Sequence, residues 1–173
     1  MSVTYTIPLS GLKEGRHIFD FEINKEFFEQ FEGSEIQEGS LTAHIEMDRR
    51  KTHLDLLIKI KGEVLICCDR CLDMFLQPLE SENRLLVKFG KDDGITDPDI
   101  LLVDAGEHEL DIKQDLYEYI LLALPIKRIH PDDEAGKSSC SPEMLKKLKE
   151  HIVEKDPEAD PRWDALKKLM NDN

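Results

Sequence analysis

Cys68 and Cys71 stand two residues apart in the run Val64-Leu-Ile-Cys-Cys-Asp-Arg-Cys-Leu-Asp73. Thiols at C-x2-C spacing can reach one metal ion from a tight turn, or close a small disulfide. No second C-x2-C pair follows, and the later donors of suitable type are Cys140 and His130. If a metal binds, Cys68 and Cys71 come first among its ligands, then Cys140, then His130. Three thiolates and one imidazole make a closed tetrahedral set for zinc. Two other readings stay open at this point. Both thiols can be ordinary residues at the end of a strand, Cys68 facing the core. A thiol-disulfide redox pair is the third reading, but that chemistry draws on a helix N-terminus to lower a thiol pKa, and this pair follows a strand pattern.

Other chemistry is not supported. His44 and His53 fall on outward strand positions, and His17 shares parity with Phe19 and Phe21. Nucleophilic catalysis at Cys71 would need an adjacent base and an oxyanion site, and the surrounding residues supply neither pattern. The nine glycines are scattered singly, so there is no glycine-rich phosphate loop. Asp132-Asp-Glu134 lacks the spacing of a calcium loop and reads as solvated. The expectation is a protein that is not an enzyme, with no small-molecule substrate.

The chain has 173 residues, 40% of them hydrophobic, which suits one folded domain with its own core. Thirty-seven acidic against 23 basic residues give a net charge of −14. Such a balance favours basic protein partners over direct phosphate contact, unless lysines and arginines gather on one face. The first fifteen residues lack a basic start with an apolar run, and no stretch approaches the ~20 apolar residues needed to cross a bilayer. Four cysteines without a secretory signal suit a reducing cytosol, so the expected location is cytoplasmic, away from membranes.

These residues must be positioned by a chain whose periodicity changes along its length. Apolar residues alternate through 41–47 and again through 54–68, with a polar turn at 48–52. Leu54, Leu56, Ile58 and Ile60 share one face; Gly62 marks a bulge or bend; Val64, Ile66 and Cys68 resume the inward parity, leaving Cys67 outside. Further strands are expected at 3–9, 17–23, 74–80, 84–89 and 100–104. Asn24 can cap a short helix through Phe31 that buries Phe27, Phe28 and Phe31. From 111 to 124 the apolar residues recur at helical spacing and Pro125 ends the run. Ser141 and Pro142 open a second helix, reaching about residue 154 and exposing Lys146, Lys147 and Lys149. An acidic linker at 156–160 leads to a last helix lined by Trp163, Leu166, Leu169 and Met170. The expected fold is α+β: a curved antiparallel sheet or small barrel, with helices packed on it from the C-terminal third. A single domain, 1–173, would comprise a strand-rich part, 1–106, and a helical part, 107–173.

The order of motifs resembles the YceD family, the large ribosomal RNA subunit accumulation proteins of bacteria and chloroplasts. Cys-Asp-Arg-Cys-Leu at 68–72 is similar to the family's first cysteine motif. Leu-Pro-Ile-Lys at 124–127 is similar to the segment closing its long helix. Asp-Pro-Arg at 160–162, followed by Trp-Asp-Ala-Leu-Lys-Lys-Leu, resembles its C-terminal signature. Many members carry several cysteines between the last two motifs, where this chain keeps only Cys140 with His130 nearby. That departure tips the expectation towards no cofactor and thiols kept as core residues, with zinc the metal the donors suit.

The resemblance implies a non-enzymatic factor required for 23S rRNA accumulation, acting in large ribosomal subunit synthesis or assembly. Its partner would be large-subunit rRNA or a basic ribosomal protein in an assembly intermediate. Lys127, Arg128, Lys146, Lys147, Lys149 and Arg162 are the candidate contacts to RNA or partner, and they read equally well as a solvated face. The alternative function is a metal- or thiol-dependent redox enzyme using the C-x2-C pair.

Overall fold

The computed structural model describes residues 4–90, 100–104, 106–132 and 136–152. The elements run β1 (Thr6–Pro8), β2 (Gly15–Ile23), α1 (Lys25–Phe28), β3 (Glu38–Arg49), β4 (His53–Cys67), β5 (Met74–Phe89), β6 (Ile100–Val103), β7 (Glu109–Asp111), α2 (Lys113–Ala123) and α3 (Pro142–His151). Strands β2 to β5 form an antiparallel meander, and β6 adds to β5 in parallel. Alternation of apolar and polar residues fixes which face each strand buries, since a one-residue slip would turn the whole apolar set to solvent. Leu54, Leu56, Ile58, Ile60, Val64 and Ile66 are all buried along β4, as is Cys68 just past its end, while Cys67 is exposed.

The architecture is predominantly sheet and departs from the expected α+β arrangement. Among the described residues the large sheet is mixed and open, with β2 and β6 at its edges, and no barrel closes. Chain leaves β5 at Phe89 and re-enters at Ile100 beside Leu86, so β6 runs in the same direction as β5. Among the described residues the helices do not form a C-terminal layer: α1 lies between β2 and β3, and α3 has no buried residue. Residues 74–80 and 84–89 belong to one strand of 16 residues. The polar stretch between them stays in the ladder because Ser81 and Asn83 are half-buried opposite Ile60 and Ile58. Gly62 is not a bulge, for the register runs unbroken through Leu41↔Gly62 and Gly62↔Leu79. β7, which pairs with β1, was hidden by its three-residue length.

One face of the sheet is covered from three directions. Asn24 accepts a hydrogen bond from the Glu26 amide and starts α1, which buries Phe27 and Phe28. Ring contacts then run from Tyr5 to Phe27 (4.7 Å), Phe27 to Phe31 (5.2 Å) and Phe31 to Tyr117 (3.9 Å, stacked), joining the N-terminal segment, α1 and α2. The β1–β7 pair contributes Ile7 and Leu110, and α2 contributes Leu116 and Ile120. Pro125 follows the end of α2, as its missing amide requires.

Asp115, in the first turn of α2, is half-buried. Burial pushes its carboxyl up to about 6, helped by Glu118 and Asp111 and opposed by its own backbone amide. A carboxyl raised in the folded state destabilises the fold above that value, and the penalty is relieved as pH falls from about 6 towards 4. Asp115→Asn is therefore expected to raise stability at pH 7 and to change the slope of stability against pH between 4 and 6. Urea titrations of both proteins across that range check this; identical slopes would refute it.

Packing alone holds α3 weakly. A fully buried Leu or Ile contributes roughly 1.5–3 kcal/mol. α2 has two such residues, whereas α3 has only half-buried Met144 and Leu145 against the core. Leu148 and Ile152 continue the apolar stripe into solvent. The helix starts directly after Cys140 and Ser141, so its position depends on what holds Cys140.

Candidate metal centre

The β4–β5 connection is a knuckle. Cys68 N–H donates to the Asp73 carbonyl (2.9 Å) and Leu72 N–H to the Cys68 carbonyl (2.9 Å). Leu72 takes a left-handed conformation, φ 63°, which closes the turn and faces both thiols inward. The segment after α2 then docks on this knuckle. Asp69 N–H donates to the Arg128 carbonyl (2.7 Å), and Arg128 N–H donates to the Asp69 carboxylate (2.8 Å). This exchange delivers His130, whose ring lies 4.7 Å from that of Phe75. An antiparallel bridge between Asp132 and Ser138 turns the chain back. Ser138 Oγ accepts from the Cys140 amide (3.3 Å) and from Arg70 of the knuckle (3.4 Å), which places Cys140.

The structure thus brings together Cys68, Cys71, His130 and Cys140, whose donor atoms all lie within 4.8 Å of one another. Cys68 Sγ is 3.8 Å from Cys140 Sγ, Cys71 Sγ is 3.4 Å from His130 Nδ1, and Cys140 Sγ is 3.8 Å from that nitrogen. Tetrahedral zinc with S and N ligands would separate sulfur pairs by roughly 3.8 Å and sulfur–nitrogen pairs by about 3.5 Å. These three distances fit that geometry. They do not fit a disulfide, whose sulfurs sit about 2.05 Å apart, and all the cysteines are free.

The electrostatics suit a thiolate cluster. Burial disfavours the Cys68 thiolate, but the amides of Cys71, Arg70 and His130 and the His130 side chain outweigh it, lowering the thiol to about 6. The Arg70 amide lies 3.4 Å from this sulfur. Burial pushes the Cys71 thiol up, as does its proximity to Cys68 and Cys140, with the Asp73 and Ser141 amides acting the other way. Several sulfurs crowded in one apolar site, one with a depressed pKa, can hold a cation. The cluster can therefore bind a metal ion. Sequence reasoning missed Phe75, Arg70 and Ser138, which orient the donors; each acts through a contact that only the docked loops create.

The described basic candidates differ in their surroundings. Arg128 pairs with Glu35. Lys127 is exposed beside Ile126, which is fully exposed. Lys146, Lys147 and Lys149 are exposed on α3, and Glu143 and Glu150 share that solvent side. Arg162, and the expected last helix with Trp163, Leu166, Leu169 and Met170, lie outside the described residues.

The sequence model of the family described as Large ribosomal RNA subunit accumulation protein YceD matches residues 56–170. The chain belongs to the YceD family. The matched range begins inside β4 and takes in the knuckle, His130 and Cys140, so the candidate metal centre lies in the part that defines membership. No curated protein and no solved structure matches the chain. The family description concerns accumulation of the large ribosomal RNA subunit and names no reaction. Among the described residues no helix is long and apolar enough to cross a membrane.

Proposed function

We propose that this YceD-family chain is a non-catalytic factor for accumulation of 23S rRNA, acting during large-subunit assembly with a zinc ion held by Cys68, Cys71, Cys140 and His130. Family membership supports the cellular role, and the convergence of four donor atoms within 4.8 Å of one another carries the zinc assignment. Three of the donors are buried, which suits a closed structural site better than an open catalytic or redox one. Zinc would supply a cross-link, pinning the segment from Arg128 to Cys140, and α3 behind it, to the sheet. The partner is a basic ribosomal protein, because the net charge of −14 disfavours phosphate contact and the α3 lysines share their helix with Glu143 and Glu150. Contact of Lys127, Lys146, Lys147, Lys149 and Arg162 with rRNA is the second reading, favoured by their exposure where described.

Loss of the protein is expected to lower 23S rRNA and free large subunits, with no metabolic reaction removed. Gradient profiles of a deletion strain check this, and normal profiles during both slow and fast growth would refute it. Capture from lysate with and without ribonuclease separates the partners. A ribosomal protein retained after digestion supports the first reading; capture abolished by digestion, with affinity falling steeply in salt, supports the second.

A further inference from the structure

Strand β2 pairs with β3 on one side and, among the described residues, with no strand on the other. It is nine residues long, without proline or bulge, so among the described residues its outer edge offers backbone donors and acceptors with no strand partner, the Glu22 carbonyl alone being taken by the Tyr5 hydroxyl. Ile18 lies next to its middle on the outer face, 63% exposed, with Arg16 and Asp20 two residues to either side. On the opposite face Phe19 and Phe21 are only half-buried at the margin of the core. A strand that ends a sheet this way wastes the apolar area of three large side chains.

We propose that two copies of this chain pair antiparallel through β2, with Ile18 opposite Ile18 of the second copy on the two-fold axis. A symmetric interface must be self-complementary, and this strand is. In that register Arg16 of each copy faces Asp20 of the other, giving two ion pairs that flank the Ile18 contact on the outer face. On the inner face Phe19 lies opposite His17 of the other copy and diagonal to its Phe19, while Phe21 lies opposite Gly15. An aromatic across from a strand glycine covers the backbone that the glycine leaves bare. The alternative register, centred on Phe19, sets Ile18 against a carboxylate. It also recruits Glu22, whose carbonyl already accepts the Tyr5 hydroxyl (3.2 Å). The Ile18-centred register leaves Glu22 outside the pairing. Two five-stranded sheets thereby become one continuous sheet of doubled width, with both β2 edges covered.

Sedimentation equilibrium of the full chain across micromolar concentrations tests this. The expected mass is twice the 20.0 kDa of one chain. Arg16→Asp and Asp20→Arg, made singly, each set like charges opposite one another twice per dimer and should weaken association about tenfold or more. The double variant restores the pairs between copies and should recover the dimer. Within one chain Arg16 lies across from Asp48 and Asp20 bonds to His44 (2.6 Å), contacts that the double variant does not restore. Recovery therefore reports the contact between copies, whatever the single variants do to folding. A monomer at every concentration, a dimer indifferent to both single variants, or absence of recovery would each overturn the proposal.

Discussion

Cys140→Ser is expected to weaken metal binding at least about 100-fold and to free the segment between Arg128 and α3 from the sheet. The reasoning follows from where apolar burial lies. Strands β3 to β5, α1 and α2 bury a core that does not need the metal, while α3 buries no residue of its own. Losing the ion should therefore act locally: amides around His130 and along α3 lose protection from hydrogen exchange, and those of β3 and β4 keep it. Cys67→Ser is the internal control. Its sulfur is exposed and its contacts are to the Leu72 and Cys68 carbonyls, outside the donor set, so metal content and protection should be unchanged. Hydrogen exchange read by mass spectrometry distinguishes the outcomes. Equal protection of α3 in Cys140→Ser and the parent chain would show that the cluster does not hold this helix.

The second large effect is expected at Gly62. Its φ of 150° is one that side-chain-bearing residues rarely adopt, and a Cβ there would lie 2.1 Å from the Ser40 carbonyl oxygen and 2.7 Å from Leu41 Cα. Both obstacles are backbone of β3, in the middle of the sheet, so relief requires the β3–β4 ladder itself to separate. Gly62→Ala should cost about 3–5 kcal/mol by urea denaturation, placing it among strongly destabilising substitutions. Gly11 separates strain from crowding: its φ is 78°, but nothing lies within 4 Å of an added Cβ. Gly11→Ala should cost only about 1 kcal/mol. A cost below 1 kcal/mol at Gly62 would mean that β3 and β4 can part there without consequence.

What could be read in the residues follows from the range of the physics involved. Inward parity through Ile66 to Cys68 is a local pattern, and it correctly set Cys68 inside and Cys67 outside. Asn24 as a cap and Pro125 as a stop are equally local and hold. The mixed sheet was not legible, because whether a strand joins parallel or antiparallel depends on the path taken between Phe89 and Ile100, not on the strand's own alternation. The polar stretch at 80–83 resembles a turn in isolation and stays extended only because Ile58 and Ile60 stand opposite it. At the candidate metal centre, residue type pointed to the four donors. Spacing along the chain could not show that they meet, since the approach of His130 rests on reciprocal bonds between Asp69 and Arg128. The family's usual cysteine count argued against a complete site here. Distances of 3.4–3.8 Å between donors argue for one.

X-ray absorption at the zinc edge, on protein purified without chelator or histidine tag, addresses the zinc assignment most directly. One zinc per chain is predicted, with three sulfur neighbours at about 2.3 Å and one nitrogen at about 2.0 Å. Protein that carries no zinc and takes up none when it is supplied, or zinc surrounded only by oxygen and nitrogen, would contradict it.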